Sequence, residues 1–105
     1  PIASYRLLTE AAEIAAKSGI TPRVGNVLSS DLFYDDSAST LKWNKMGVLA
    51  VEMETAALYM NAARAGKNAL SILTISDNLV TGEATTAVER QNSFTQMMEL
   101  ALELA

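Results

Sequence analysis

The chain has 105 residues, a net charge of −4 and a hydrophobic content of 50%, so we expect one globular domain or part of one. Its acidic balance and singly scattered Lys and Arg residues argue against binding to nucleic acid or to an anionic membrane. Because it has no Cys and no His, disulfides, thiolate zinc sites, thiol nucleophiles and histidine bases are excluded. No apolar run is long enough to span a bilayer and no secretory signal stands at the start. We therefore expect a soluble, cytoplasmic protein.

Hydrophobic patterning predicts seven elements in which helix and strand alternate. They are a helix over 4–18, a strand over 23–29, a short helix over 40–45, a strand over 48–53, a helix over 55–65, a strand over 69–76 and a helix that follows Thr86. Ser4 can cap the first helix, and Gly19 supplies the left-handed residue that ends it. Gly25 weakens the predicted strand unless another backbone or a ligand approaches it closely. Residues 35–39 have loop composition, and Trp43 is expected to pack inward.

The alternation predicts a layered α/β fold with a parallel or mixed central sheet. The strand VLAVEM over 48–53 is almost continuously apolar, which is typical of a strand covered on both faces. Three strands are few for such a sheet and would leave its edges exposed. Because the chain also starts with Pro rather than Met, we expect residues 1–105 to be part of a single domain whose other strands lie in further sequence.

Polar or aromatic side chains follow every predicted strand. They are Phe33 after the first strand, Glu52, Met53 and Glu54 at the end of the second, and Ser76 and Asp77 at the end of the third. Ligands of parallel α/β sheets bind outside the carboxyl ends of the strands, which all lie at one edge. Each residue alone also fits an ordinary polar loop, but the whole set predicts a site at this edge.

Glu54 has two interpretations on the residues alone. A carboxylate at the start of a helix complements the helix macrodipole. A carboxylate also has two acceptor oxygens, which suit the adjacent 2′ and 3′ hydroxyls of a ribose.

Asp77 is either a loop aspartate that accepts from backbone donors or a general acid. An aspartate ordinarily has a pKa of ~3.9, so holding one protonated at neutral pH costs about 4 kcal/mol. An acid therefore needs burial or a proton delivered in a closed complex. Arg90, on the predicted last helix, can lean back toward this loop. A permanent pair with Arg90 would oppose the acid role, whereas an arginine that arrives as the proton leaves would favour it.

Three stretches, VGNVLSSDLFY, AVEMETAALY and ILTISDNLVTGEATTAVERQ, resemble the hexameric, bacterial-type purine nucleoside phosphorylases of the nucleoside phosphorylase family. The resemblance runs through residues 1–105 and covers the C-terminal portion, about half, of such an enzyme. It implies reversible phosphorolysis of a purine nucleoside to the free purine and ribose 1-phosphate, without a metal or an organic cofactor. The implied partners are nucleoside, phosphate, the N-terminal portion of the same protein, and other subunits of a hexamer built from dimers.

The resemblance also implies a role for each candidate residue. Asp77 would protonate purine N7 and Arg90 would swing toward it to favour this transfer. The substrate-binding residues would be Ser76, Val51 and Glu52 on the base side, Phe33 stacked near the base, and Met53 and Glu54 at the ribose.

Some features depart from the family pattern and leave alternatives open. Asn78 stands where relatives often have His, which affects base contacts, and the loop over 35–40 is slightly short. The family holds phosphate through residues of its N-terminal portion, so we expect this chain alone to be inactive. VEME with SDN would also suit a nucleosidase that cleaves methylthioadenosine or adenosylhomocysteine, and a uridine phosphorylase is a further alternative. A non-catalytic α/β binding module is the alternative from another class.

Overall fold

The computed structural model of the protein describes residues 1–32 and 37–105. Its elements in these ranges are α1 (Tyr5–Lys17), β1 (Val27–Ser29), α2 (Ser37–Lys45), β2 (Ala50–Glu52), α3 (Thr55–Arg64) and α4 (Ala87–Leu104). The strands β1 and β2 pair in parallel, with Leu28 opposite Val51. The predicted α/β class and the parallel sheet are confirmed.

Local sequence signals set the ends of the helices. The Ser4 side chain caps α1 by accepting from the backbone N–H of Leu7 at 3.4 Å. Gly19 has a φ of +75°, and the next backbone N–H, of Ile20, returns to the carbonyl of Ala15 at 2.9 Å. A residue without Cβ adopts this left-handed conformation without steric cost, so the helix ends where the sequence predicts.

The β1–α2–β2 unit is a parallel crossover, and α2 connects the two strands. A Cβ atom built on Gly25 would lie 2.8 Å from Cδ1 of Leu49, so a larger residue here would require the Leu49 side chain to shift. The sequence predicted that another backbone or a ligand would lie close to Gly25, whereas the group found there is the Leu49 side chain. The backbone N–H of Leu49 also donates to the carbonyl of Asn26 at 2.9 Å, which brings the two strands into register.

The predicted third strand over 69–76 is wrong, because this segment pairs with neither β1 nor β2. A strand is defined by backbone pairing, and the backbone here bonds elsewhere. Ala69 accepts from Ser4, Ser71 donates to the Tyr59 hydroxyl and Ser76 accepts from Thr85. The apolar run therefore lies across the molecule without a strand neighbour in the described part of the chain.

Two predictions around α2 are also wrong. The helix begins at Ser37 rather than Thr40, so part of the predicted loop over 35–39 is helical, and the rest of that loop lies outside the described residues. Trp43 is 38% exposed instead of packed inward. The cause is that α2 makes at most isolated contacts with the other described elements, which leaves part of the Trp43 side chain uncovered.

The chain has a small core and a large surface. The buried residues are Ala11 and Ala15 of α1, which packs against α4, and Thr55 at the start of α3. The chain exposes 7990 Å², whereas a compact protein of its mass of 11.2 kDa exposes about 5,700 Å². Many large apolar side chains contribute to this surface, among them Leu49, Val51, Leu58 and Met60. Even so, a search of the described helices finds none with the length and apolar character needed to cross a bilayer.

The start of α4 gives a test of helix capping. Thr86 accepts from the backbone N–H of Glu89 at 3.1 Å, as predicted, while the Glu89 carboxylate accepts from the Thr86 hydroxyl at 3.1 Å. We expect Thr86→Ala to lower the free energy of unfolding by about 1 kcal/mol, because the backbone N–H loses its acceptor. Urea denaturation of the full-length protein measures this change.

The matched control is Thr95→Ala on the exposed side of α4, where the hydroxyl bonds only back to the carbonyl of Gln91. It is expected to change stability by less than about 0.5 kcal/mol. Equal losses in the two variants would contradict the capping role.

Candidate functional site

Four of the candidate residues lie together where β2 turns into α3. This corner consists of Val51, Glu52, Met53 and Glu54, with β2 ending at Glu52 and α3 beginning at Thr55. Val51 and Met53 are 43% and 41% exposed, and Glu54 is exposed as well. These four residues are consecutive and belong to one strand end, so they do not test the predicted convergence of three strand ends, but the side chains of Val51, Met53 and Glu54 are accessible.

Glu52 makes most of the hydrogen bonds that hold this corner together. One carboxylate oxygen accepts from the backbone N–H groups of Glu54 and Thr55, each at 2.6 Å. The other oxygen accepts from the hydroxyl of Ser29, at the end of β1. The first N–H groups of a helix lack partners within the helix, and Glu52 supplies acceptors for them from just outside.

These contacts determine the ionisation of Glu52. Partial burial of the carboxyl raises its pKa, but the hydrogen bonds from the Ser29 hydroxyl, from the backbone N–H groups of Thr55 and Glu54 and from the Thr55 hydroxyl lower it more. The net effect is a pKa below the ordinary value of 4.5. Glu52 is therefore a charged acceptor at neutral pH, which strengthens its hydrogen bonds.

A chain of polar contacts continues from this corner into the molecule. The Ser29 hydroxyl accepts from the backbone N–H of Ala56 at 2.9 Å. The buried Thr55 hydroxyl lies 2.9 Å from that of Ser71, whose backbone N–H donates to the Tyr59 hydroxyl at 2.9 Å. The corner is thereby connected to segment 69–76, which leads to Ser76 and Asp77.

Glu54 occupies the N-cap position of α3 without capping it. A capping side chain would turn back to its own helix, but Glu52 already provides the acceptors there. The Glu54 carboxylate is exposed, and it forms no ion pair with any described residue. It is the carboxylate of the corner that remains available to a ligand.

Ser76 and Asp77 lie where segment 69–76 enters a compact loop. The Ser76 hydroxyl donates to Oδ2 of Asp77 at 3.0 Å, and Asp77 forms an isolated antiparallel bridge with Ala84. Thr85 donates to the Ser76 carbonyl through both its backbone N–H, at 2.9 Å, and its hydroxyl, at 2.7 Å. Asp77 is exposed and therefore lacks the burial that an acid at rest would need.

Asn78 is committed to the structure of this loop. Its side-chain oxygen accepts from the backbone N–H groups of Val80 at 3.0 Å and Thr81 at 3.1 Å. Its backbone N–H donates to the carbonyl of Glu83 at 2.7 Å and its carbonyl accepts from Gly82 at 2.8 Å. The asparagine thus forms an Asx-type turn directly after Asp77. The family resemblance implied that Asn78, in place of the His of many relatives, affects contacts to the base. The sequence did not indicate this turn.

Arg90 lies in the first turn of α4, half-buried, with its backbone N–H bonded to the carbonyl of Thr86. It forms no ion pair with Asp77 within the described ranges. A cavity of 260 Å³ opens beside the loop and is lined by Ser76, Asp77, Thr85 and Glu89 among others, but not by Arg90 or by the corner residues. The structure therefore places the candidate residues in two groups, one at the corner and one at the loop.

The remaining candidate, Phe33, lies outside the described residues. The sequence missed the Ser29–Glu52–Thr55 contacts, although a signal for them exists. Glutamate is a poor N-cap, so Glu54 at that position indicates that another acceptor must serve the helix. Nothing in the sequence pairs Ser71 with Tyr59 or Thr55. No cluster of three or more acidic side chains that could hold a metal ion is found in the described ranges, and the absence of a cofactor stays a prediction.

Comparison with known proteins gives a consistent assignment along the whole chain. The family model described as the phosphorylase superfamily matches residues 1–105. A protein of Clostridium novyi (strain NT) named purine nucleoside phosphorylase DeoD-type is 56% identical over 106 residues, which cover 100% of this chain and 46% of the relative. Proteins with the same name from Caldanaerobacter subterraneus subsp. tengcongensis and Geobacillus sp. (strain WCH70) are 58% and 52% identical, and cover 100% of this chain and 46% and 45% of their own lengths. The chain spans about half the length of the curated relatives it matches.

The ionised Glu52 gives a test through the pH dependence of stability. Because folding lowers its pKa below 4.5, its contribution to the free energy of unfolding is present above that pH and is lost as the pH falls through the lower folded-state pKa. We expect Glu52→Gln to destabilise the full-length protein by about 1 kcal/mol at pH 7. The difference from wild type should shrink toward pH 3, as urea denaturation across this range would measure.

Glu13→Gln is the matched control, since Glu13 is an exposed carboxylate on α1. Its difference from wild type should stay small at both ends of the pH range. A Glu52→Gln difference that does not depend on pH would contradict the ionised cap.

Proposed function

The chain belongs to the phosphorylase superfamily, and we propose that it carries the base and ribose side of a purine nucleoside phosphorylase. The observation on which the proposal rests is that the chain matches, over its full length, proteins named purine nucleoside phosphorylase. The reaction is the reversible phosphorolysis of a purine nucleoside to the free purine and ribose 1-phosphate.

In this reaction a phosphate oxygen forms a bond to C1′ of the ribose as the bond from C1′ to purine N9 breaks. The electron pair of the broken bond passes into the purine, and a proton delivered to N7 lets the base leave as a neutral molecule. We assign this proton to Asp77, with Ser76 beside it at the base. The exposed Asp77 requires that the loop and the substrate close around it before it acts as the acid.

Arg90 is proposed to favour the proton transfer by moving toward Asp77. The two side chains form no ion pair in the described structure, which avoids the permanent pairing that would oppose the acid role. Arg90 and Asp77 are joined by the loop that Asn78 organises. A shift of the first turn of α4 against this loop would bring the guanidinium to the carboxylate as negative charge develops there.

Glu54 is proposed to bind the ribose 2′ and 3′ hydroxyls. Its carboxylate is exposed and is not used as a helix cap, so both oxygens are available to accept. Met53 would contact the ribose, and Val51 and Phe33 would contact the base. No metal or organic cofactor is part of the proposal.

Phosphate is proposed to bind to the part of the domain that precedes these residues in the relatives. Helix N-termini often bind phosphate, but N–H groups at the start of α1, α3 and α4 already donate to side chains of the chain itself, those of Ser4, Glu52 and Thr86. The exposed surface, roughly 2,300 Å² above that of a compact protein of this mass, is well beyond one side of a standard interface. We propose that the rest of the domain covers it. The hexamer built from dimers and the cytoplasmic location belong to the same proposal, on the basis of the resemblance.

The activity of the full-length protein tests the reaction class. We expect release of hypoxanthine from inosine that requires inorganic phosphate and yields ribose 1-phosphate, measured by chromatography of base and sugar phosphate. Release of base without phosphate would favour a nucleosidase, and preference for uridine a uridine phosphorylase. Either result would overturn the proposal.

The chain of 105 residues alone is expected to release no base from inosine at any phosphate concentration, because it lacks the phosphate side of the site. The same assay with the full-length protein is the positive control. Full activity of the isolated chain would contradict the division of the site between two portions.

Substitution of the proposed acid tests the roles at the loop. We expect Asp77→Asn to lower kcat for inosine by about 100-fold or more, with a smaller loss for adenosine, and Arg90→Ala to lower it less. Arg64→Ala, an exposed arginine in the last turn of α3, is the control and should keep the wild-type rate. Wild-type rates in both loop variants would exclude Asp77 as the acid and leave a non-catalytic binding role for this chain.

A further inference from the structure

We propose that Glu52 is a positioning residue that orients Glu54 toward the ribose, and that it does not contact the base. The inference rests on the proposed function and assigns to Glu52 a role different from the base-side contact that the resemblance implies. The structural basis is the way in which both Glu52 oxygens are engaged by the protein itself.

The contacts of Glu52 fix the backbone on which Glu54 stands. One Glu52 oxygen accepts from the backbone N–H groups of Glu54 and Thr55, at 2.6 Å each. These two bonds hold the peptide planes on either side of the Glu54 Cα atom, and therefore the direction in which its Cα–Cβ bond leaves the backbone. Because Glu52 satisfies the helix, Glu54 has no capping bond of its own. The Glu52 carboxylate is therefore bonded within the protein, and the Glu54 carboxylate is accessible to a ligand.

Ser29 ties this arrangement to the sheet. Its hydroxyl donates to the second Glu52 oxygen and accepts from the backbone N–H of Ala56 at 2.9 Å. Ser29 also lies opposite Glu52 in the register of β1 and β2. Glu52 and Ser29 together therefore supply acceptors for three consecutive amides, those of Glu54, Thr55 and Ala56. The start of α3 is held to the ends of both strands.

A carboxylate is the group that this position needs. Glu52 accepts from the Ser29 hydroxyl and from the backbone N–H groups of Glu54 and Thr55, and an ionised carboxylate is an acceptor at both oxygens. A glutamine of the same length has one acceptor oxygen and no charge, and its NH₂ group would face the Ser29 hydroxyl, which would have to accept instead of donating. Glu52→Gln therefore keeps the volume of the side chain but loses the charge that strengthens its hydrogen bonds, and the peptides on either side of Glu54 are freer to rotate.

Two sugars distinguish positioning from base contact in the full-length protein. If Glu52 acts through Glu54, Glu52→Gln should lower kcat/KM about tenfold for inosine, the loss expected for one charge-assisted hydrogen bond. It should change kcat/KM less than about twofold for 2′,3′-dideoxyinosine, which lacks both hydroxyls that Glu54 would bind. A loss of equal size with both sugars, or a changed ratio between inosine and adenosine, would overturn the positioning role.

Hydrogen exchange gives a readout that does not depend on activity. Faster amide exchange in Glu52→Gln at the peptide that covers residues 53–58, measured by mass spectrometry on the full-length protein, is expected because the amides of Glu54 and Thr55 exchange a charged acceptor for a weaker, neutral one. Glu13→Gln, the exposed control on α1, should match wild type in both measurements. Unchanged exchange in Glu52→Gln would overturn the inference by itself.

A second variant covers the case in which Glu52→Gln does not fold. Ser29→Ala removes the donor to Glu52 and the acceptor for Ala56, and it should show the same dependence on the sugar with a smaller loss. Equal losses with both sugars in this variant would likewise overturn the inference. A wild-type protein that releases no purine base would instead overturn the proposed function, while the exchange measurement would still decide whether Glu52 holds the start of α3.

Discussion

The arrangement of the candidate site depends on the carboxylate of Glu52. It joins the ends of the two strands to the first turn of α3, through Ser29 on one side and through the amides of Glu54 and Thr55 on the other. The strands are also paired with each other, but little apolar packing supports these elements, because the buried residues of the described chain are two alanines of α1 and Thr55. In a chain with so little buried apolar area, a charged acceptor with several donors has an unusually large share in defining the local structure.

This interaction also separates the tasks of neighbouring residues. In the motif VEMET, the first glutamate is used within the fold and the second is presented to solvent. The same principle operates at the loop, where Asn78 holds the turn and leaves Asp77 exposed beside it. At both places a neighbouring residue, Glu52 or Asn78, accepts hydrogen bonds from backbone N–H groups. The carboxylate proposed to bind or to react, of Glu54 or Asp77, is therefore not needed as an acceptor for them.

The exposed apolar surface explains why the two groups of residues do not meet in one cavity. The corner and the loop are connected through Thr55, Ser71 and segment 69–76, but this segment has no strand neighbour among the described residues. The chain spans about half the length of its relatives. Both faces of its two-stranded parallel sheet are left partly uncovered by the described elements. The proposed phosphorylase site would then be completed by the rest of the domain, which would supply both the apolar cover and the phosphate contacts.

The sequence by itself determined the α/β class, the presence of the four helices, both ends of α1 and the start of α4, because these depend on local periodicity and on caps within a few residues. The motif order also placed Glu54 and Asp77 where strand-like segments end, and the family assignment agrees with the resemblance of those motifs. Only the tertiary structure decided that segment 69–76 remains unpaired, that Trp43 stays exposed and that Glu52 rather than Glu54 caps α3. These outcomes depend on partners distant in sequence, such as Ser29 for Glu52 and Tyr59 for Ser71, and local patterns contain no information about which distant groups will meet.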